Sequence, residues 1–61
     1  MFRVLRLLGR YSSPGRFAEI YYVRLEERSR GLYVVTDEEG RVLGVTTSYG
    51  DALRIAREYV G

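Results

Sequence analysis

Two short polar runs, each closed by a glycine, cut the middle of this chain into pieces: Glu27-Arg28-Ser29-Arg30-Gly31 and Asp37-Glu38-Glu39-Gly40. A tight hairpin asks for such a run, because the glycine supplies left-handed backbone where the loop ends. The flanking segments IYYVRLEE, GLYVVTD and RVLGVTTS are rich in Val, Tyr, Ile and Thr, side chains that suit a pleated sheet. The spacing predicts a meander of strands at roughly 18–27, 31–36 and 41–47.

The chain ends TSYGDALRIAREYVG. Ser48 is a good N-cap, and Asp51 stands three residues on, where a capping box places an acid. Ala52, Ala56, Tyr59 and Val60 share one helical face, with Leu53 and Ile55 on its flanks and Arg54, Arg57 and Glu58 turned away. Gly61 supplies the stop. This is an amphipathic helix with one face to bury.

The opening FRVLRLLGRY admits two readings. Taken as a helix, Arg3, Arg6 and Arg10 gather within about 60° of arc and the apolar residues fill the rest. Taken as a strand, Arg3 points one way and Arg6 and Arg10 the other. The segment starts almost at the terminus without a cap and contains Gly9, and a helix of two turns is weak alone. A hairpin through Ser12-Ser13-Pro14-Gly15 would add it to the meander, so residues 2–11 are read as a strand. For residues 13–28 a helix capped by Ser13 competes, but Ile20-Tyr21-Tyr22-Val23 lose rotamer freedom in helices, so strand is preferred. The expected fold is α+β: a small antiparallel sheet, a three- to four-stranded meander, with one C-terminal helix packed on one face (ββββα), in a single domain spanning 1–61.

A chain of 61 residues buries only about 60% of the surface its unfolded form exposes. There is no Cys or His, so neither a disulfide nor a structural zinc site can staple the fold. Good packing, stiff turns or self-association must serve instead, and a homodimer is expected. Asn, Gln and Lys are also absent, and every cation is Arg. That composition fits a GC-rich thermophile. No segment reaches the roughly 18 apolar residues of a membrane span, and the arginines interrupt any signal-like run. A cytoplasmic protein with no membrane role is expected.

Charge is unevenly spread. Residues 1–16 hold Arg3, Arg6, Arg10 and Arg16 and no acid, whereas in residues 31–61 the acids Asp37, Glu38, Glu39, Asp51 and Glu58 outnumber Arg41, Arg54 and Arg57. Such asymmetry suits nucleic acid or an acidic partner, and equally suits packing of the chain against itself.

Catalysis is disfavoured by subtraction. Without His, Cys or Lys the common bases and nucleophiles near neutral pH are missing, and Ser12 and Ser13 have no base to activate them. Asp37-Glu38-Glu39 could attract a hard cation, but acids at a hairpin tip more often form a solvated turn that discourages edge pairing. GRVLG lacks the spacing and setting of a nucleotide fingerprint, and Gly44 there marks a bulge or a close backbone approach. No enzyme, metal, cofactor or small-molecule substrate is expected.

What remains is a surface. If the helix covers one side of the sheet, Tyr21, Val23 and Leu25, Leu32 and Val34, and Leu43 and Val45 make the better inward sets. The outer face then shows Tyr22, Arg24, Tyr33 and Val35, bordered by Arg6, Arg10 and Arg41. Tyrosines interleaved with arginines can stack bases and meet phosphates. The candidate nucleic-acid contacts are Arg3, Arg6, Arg10, Arg16, Arg24 and Arg41 for phosphate, with Tyr22 and Tyr33 for stacking. The competing reading uses the same Tyr/Val face for self-association or for a protein partner, with no nucleic acid. A net charge of only +2 is modest for a dedicated nucleic-acid binder.

Residues 20–60, running strand, turn, strand, turn, strand, helix, resemble in outline the arm-binding domains of phage integrases, whose sheet lies in the DNA major groove. The ending TTSYGDALRIAREYV after a glycine-turned hairpin resembles the tail of HicB-type antitoxins, although the proline-glycine segment that usually precedes their helix is missing here. These likenesses are of topology alone, none is fixed by a residue motif, and the fold does not settle the function.

Overall fold

The computed structural model describes residues 2–25 and 31–61, with the side chains of 2–5 and of Leu25 left aside. Four strands, β1 (Phe2–Ser13), β2 (Arg16–Leu25), β3 (Gly31–Thr36) and β4 (Val42–Thr46), are followed by one helix, α1 (Tyr49–Val60). The strands form one antiparallel sheet in the order β1-β2-β3-β4. The ββββα α+β order is therefore the observed one, and the arginine-bearing opening segment is a strand. Pairing with β2 overrides its helical periodicity, since a ladder supplies the hydrogen bonds that an uncapped two-turn helix lacks. β2 starts two residues earlier than expected. The turn expected at 27–31 falls mostly on residues 26–30, outside the described residues.

The β3–β4 loop is closed by Asp37. Its backbone N–H donates to the Arg41 carbonyl (2.9 Å), the Gly40 N–H to its carbonyl (3.0 Å), and its Oδ1 accepts from the N–H groups of Glu39 (2.9 Å) and Arg41 (2.8 Å). Gly40 has the left-handed backbone the turn requires, φ 82°. Gly31, after the other polar run, follows residues 26–30, which lie outside the described residues. It begins β3 as extended chain, and its constraint is steric, because a Cβ there would lie 2.4 Å from the Tyr22 ring.

The helix follows the sequence closely. Ser48 Oγ accepts from the Asp51 N–H (3.4 Å), and the Gly61 N–H returns to the Arg57 carbonyl (3.0 Å). Ala52 and Ala56 are fully buried. They face Ala18, Ile20 and Val35, and Leu8, Tyr11, Leu43, Leu53, Ile55 and Tyr59 pack around this cluster.

That cluster reverses the expected orientation of the sheet. Val35, assigned to the outer face with Tyr22 and Tyr33, has no exposure and lies beneath the helix. The register carries its neighbours with it: Ile20 opposes Val35, Tyr22 opposes Tyr33, and Val35 opposes Gly44. Tyr21, Val23, Val34 and Val45 therefore point away from α1, because side chains alternate along a strand and opposed residues share a face. The physical reason is fit. An alanine-faced helix needs sheet positions small enough to let it approach, and the helix side offers Ala18 and Gly44. A Cβ on Gly44 would come within 2.8 Å of Ile55 Cδ1. Beside it the register slips so that Leu43 has no opposite residue, a bulge of the kind Gly44 suggests.

Candidate nucleic-acid interface

The helix covers only part of its side of the sheet. At its C-terminal end, Ser13 Oγ donates to the Val60 carbonyl and Arg16 Nη1 to the Tyr59 carbonyl (3.1 Å). At its N-terminal end Tyr49 meets Tyr33, with ring centroids 5.7 Å apart, and its hydroxyl lies 3.3 Å from that of Tyr11. Along the β1–β2 ladder α1 thus runs from the Ser13–Arg16 turn to about the level of Tyr22. Twelve helical residues rise about 18 Å, while ten residues of β2 extend about 33 Å. The far end of the hairpin projects beyond the helix.

In this projecting stretch three arginines occupy neighbouring ladder positions. Arg6 opposes Tyr22, and Arg3 opposes Arg24. Arg6 and Arg24 are exposed, and Tyr22 is half-buried. By alternation Arg24 and Tyr22 share the helix-bearing side, as does Arg6 through its pairing with Tyr22. The Tyr22 ring packs at 5.4 Å on Tyr33, which leads to Tyr49. The aromatics form a tilted row past the start of the helix, with Tyr49 39% exposed at its end.

The other arginines named from the sequence lie elsewhere. Arg10 projects from the face opposite the helix, donates from Nε to Glu19 (2.8 Å), pairs with the same carboxylate through Nη2 at 2.6 Å, and sits over the Phe17 ring at 5.7 Å. Arg16 lies at the opposite end of the hairpin, stacked at 5.2 Å over Tyr59. Arg41 belongs to the β3–β4 loop and pairs with Asp37 and Glu39. Of the eight residues, the structure brings together Arg3, Arg6, Arg24, Tyr22 and Tyr33, and separates Arg10, Arg16 and Arg41. Tyr49 was not singled out in the sequence. As the first residue of a helix it gives no periodic signal, and only the docking of α1 brings it to Tyr33.

No known protein family, curated protein or solved structure matches this chain.

Asp37, Glu38 and Glu19 are each engaged separately. Burial would raise the Asp37 carboxyl, but the N–H groups of Arg41 and Glu39, helped by the Arg41 charge, outweigh it and hold the group below its ordinary value. Glu38 accepts from the Tyr59 hydroxyl (2.7 Å) and from the Phe17 N–H (3.3 Å); the tyrosine bond is the main reason its pKa is lowered. Glu19 is lowered first by the Tyr21 hydroxyl (2.8 Å) and then by Arg10. Of the acids expected to form a solvated turn, Glu38 and Glu39 are exposed, and Asp37 is buried and caps the loop. Among the described residues no three acids converge where a cation could sit, and no helix is long and apolar enough to cross a membrane.

Proposed function

We propose that this protein binds nucleic acid without catalysis, through the end of the β1–β2 hairpin that projects beyond the helix. The observation that carries the reading is the register: Arg6 opposite Tyr22 and Arg3 opposite Arg24, within one short stretch of ladder. Guanidinium groups are suited to phosphate oxygens because their donors form a planar fork. The adjacent tyrosine row offers ring edges and one accessible ring, at Tyr49, for contact with sugars or bases. Arg10, Arg16 and Arg41, already held by partners within the chain, contribute to the general positive field instead.

Titration of labelled single- and double-stranded DNA and RNA oligonucleotides at several salt concentrations tests this. Three phosphate contacts predict a slope of log affinity against log salt of about −2 to −3. The double variant Arg6→Ala/Arg24→Ala should flatten that slope, and Arg54→Ala, on the outer side of the helix, should not. Binding that ignores salt, or no binding at any salt, leaves the competing reading: a module that recognises only protein.

A further inference from the structure

We propose that the sheet face opposite the helix is a contact surface for a second copy of this chain, giving a two-fold, sheet-to-sheet dimer. Leu7, Val42 and Val45 on this face are 43%, 60% and 53% exposed. Tyr21 and Val34 lie between them, in register with Leu7 and Val45 respectively. A strand with one buried and one solvated face alternates apolar with polar residues along its length; strands apolar on both sides belong to sheets covered on both sides. Ile20-Tyr21-Tyr22-Val23 and Leu32-Tyr33-Val34-Val35 are of the second kind, and α1 accounts for one side only.

Charge favours a copy of the same chain as the occupant. The protein is basic, with net charge +2, so two copies should repel wherever their arginines meet. On this face Arg10 is neutralised by Glu19 at 2.6 Å, while Arg6 and Arg24 belong to the other side. Among the described residues the apolar stretch of this face, Leu7, Tyr21, Val34, Val42 and Val45, is uncharged, so like chains can meet there with Arg6 and Arg24 held apart. Its size suffices. The molecule measures 39 × 20 × 15 Å, and a patch one sheet wide and about 25–30 Å long covers roughly 500–600 Å² on each copy. Two copies would bury roughly 1,000–1,200 Å², at the lower bound for a specific interface. A shallow depression of ≈ 350 Å³ on this face is lined by Tyr21, Val23, Val34 and Thr36 and, toward the β3–β4 loop, by Glu19, Asp37, Glu38 and Gly40; its apolar side can receive an apolar side chain from the partner, as facing sheets interdigitate.

Sedimentation equilibrium across the micromolar range is the test. The mass expected is that of two 7.1 kDa chains. Val45→Glu and Leu7→Glu, both at exposed positions, should each reduce the mass to one chain with an unchanged circular dichroism spectrum, and Arg54→Glu should leave the dimer intact. A wild-type monomer throughout, or a Val45→Glu protein that remains a folded dimer, overturns the proposal. Should both variants fail to fold, the wild-type melting temperature decides: it rises with protein concentration if the folded form is a dimer, and a midpoint independent of concentration refutes it. This inference stands apart from nucleic-acid binding, since the oligonucleotide titration and the mass measurement read different faces.

Discussion

Gly31 shows how one atom can be excluded without any unusual backbone. Its neighbour across the ladder, Tyr22, lays its ring where a side chain would stand, with Cζ 2.4 Å and Cε1 2.6 Å from the missing Cβ. Gly31→Ala must displace that ring and, with it, the contact to Tyr33. The expected loss is about 1–3 kcal/mol, read as a lower urea midpoint. Gly44→Ala meets only the mobile tip of Ile55 and should cost less. The sequence marked Gly31 as the close of a turn and start of a strand but not this steric need, because a glycine's need for space is visible only when the opposing side chain is in place.

At the scale of elements, local chemistry and tertiary contact can be told apart in α1. Its start depends on Ser48, and Ser48→Ala should cost about 1 kcal/mol, measured by thermal melting. Its end depends on contacts with both hairpins: Ser13 and Arg16 on one, Glu38 on the other. The Glu38–Tyr59 bond lowers the carboxyl from 4.5 and raises the phenol from 10.0. Glu19 and Tyr21 are shifted in the same two directions by their mutual bond. The lowered carboxyls stabilise the fold fully above the ordinary carboxylate value, and this is lost as pH falls through the lower folded value. The raised phenols contribute fully below 10.0, and this is lost as pH rises through the higher folded value. A stability plateau bounded by acid and alkaline losses is expected in urea titrations at stepped pH. Tyr59→Phe should weaken both limbs, since it removes the phenol and releases Glu38. Strand and helix positions were readable in the sequence because turn glycines, a cap and apolar spacing are local signals. The pairing of Glu19 with Arg10 across two strands and of Glu38 with Tyr59 across 21 residues was not.

For the whole molecule, the balance is set by how little lies beneath the helix. The largest fully buried side chains among the described residues are Ile20 and Val35, and the rest of the central cluster is alanine. Ile20→Ala should cost about 2–5 kcal/mol, comparable with the about 3–5 kcal/mol that a core of this size supplies. A largely unfolded protein at ambient temperature is the expected result, measured by circular dichroism. Any favourable contact on the open sheet face would then matter to folding as well as to assembly.

The sequence by itself determined strands β3 and β4, the Asp37–Gly40 turn, both ends of the helix and the clustering of arginines near the N-terminus, because each follows from residues close together along the chain, whereas the strand form of the opening segment needed its pairing with β2. Only the tertiary structure decided which side of the sheet the helix occupies. Strands apolar on both faces carry no alternation to settle that choice, and a shift of one residue exchanges every side chain between the two sides. Close packing settled it: the helix lies where Ala18 and Gly44 leave room, which sends Tyr22 and Tyr33 to its side and leaves Leu7, Val34 and Val45 on the other.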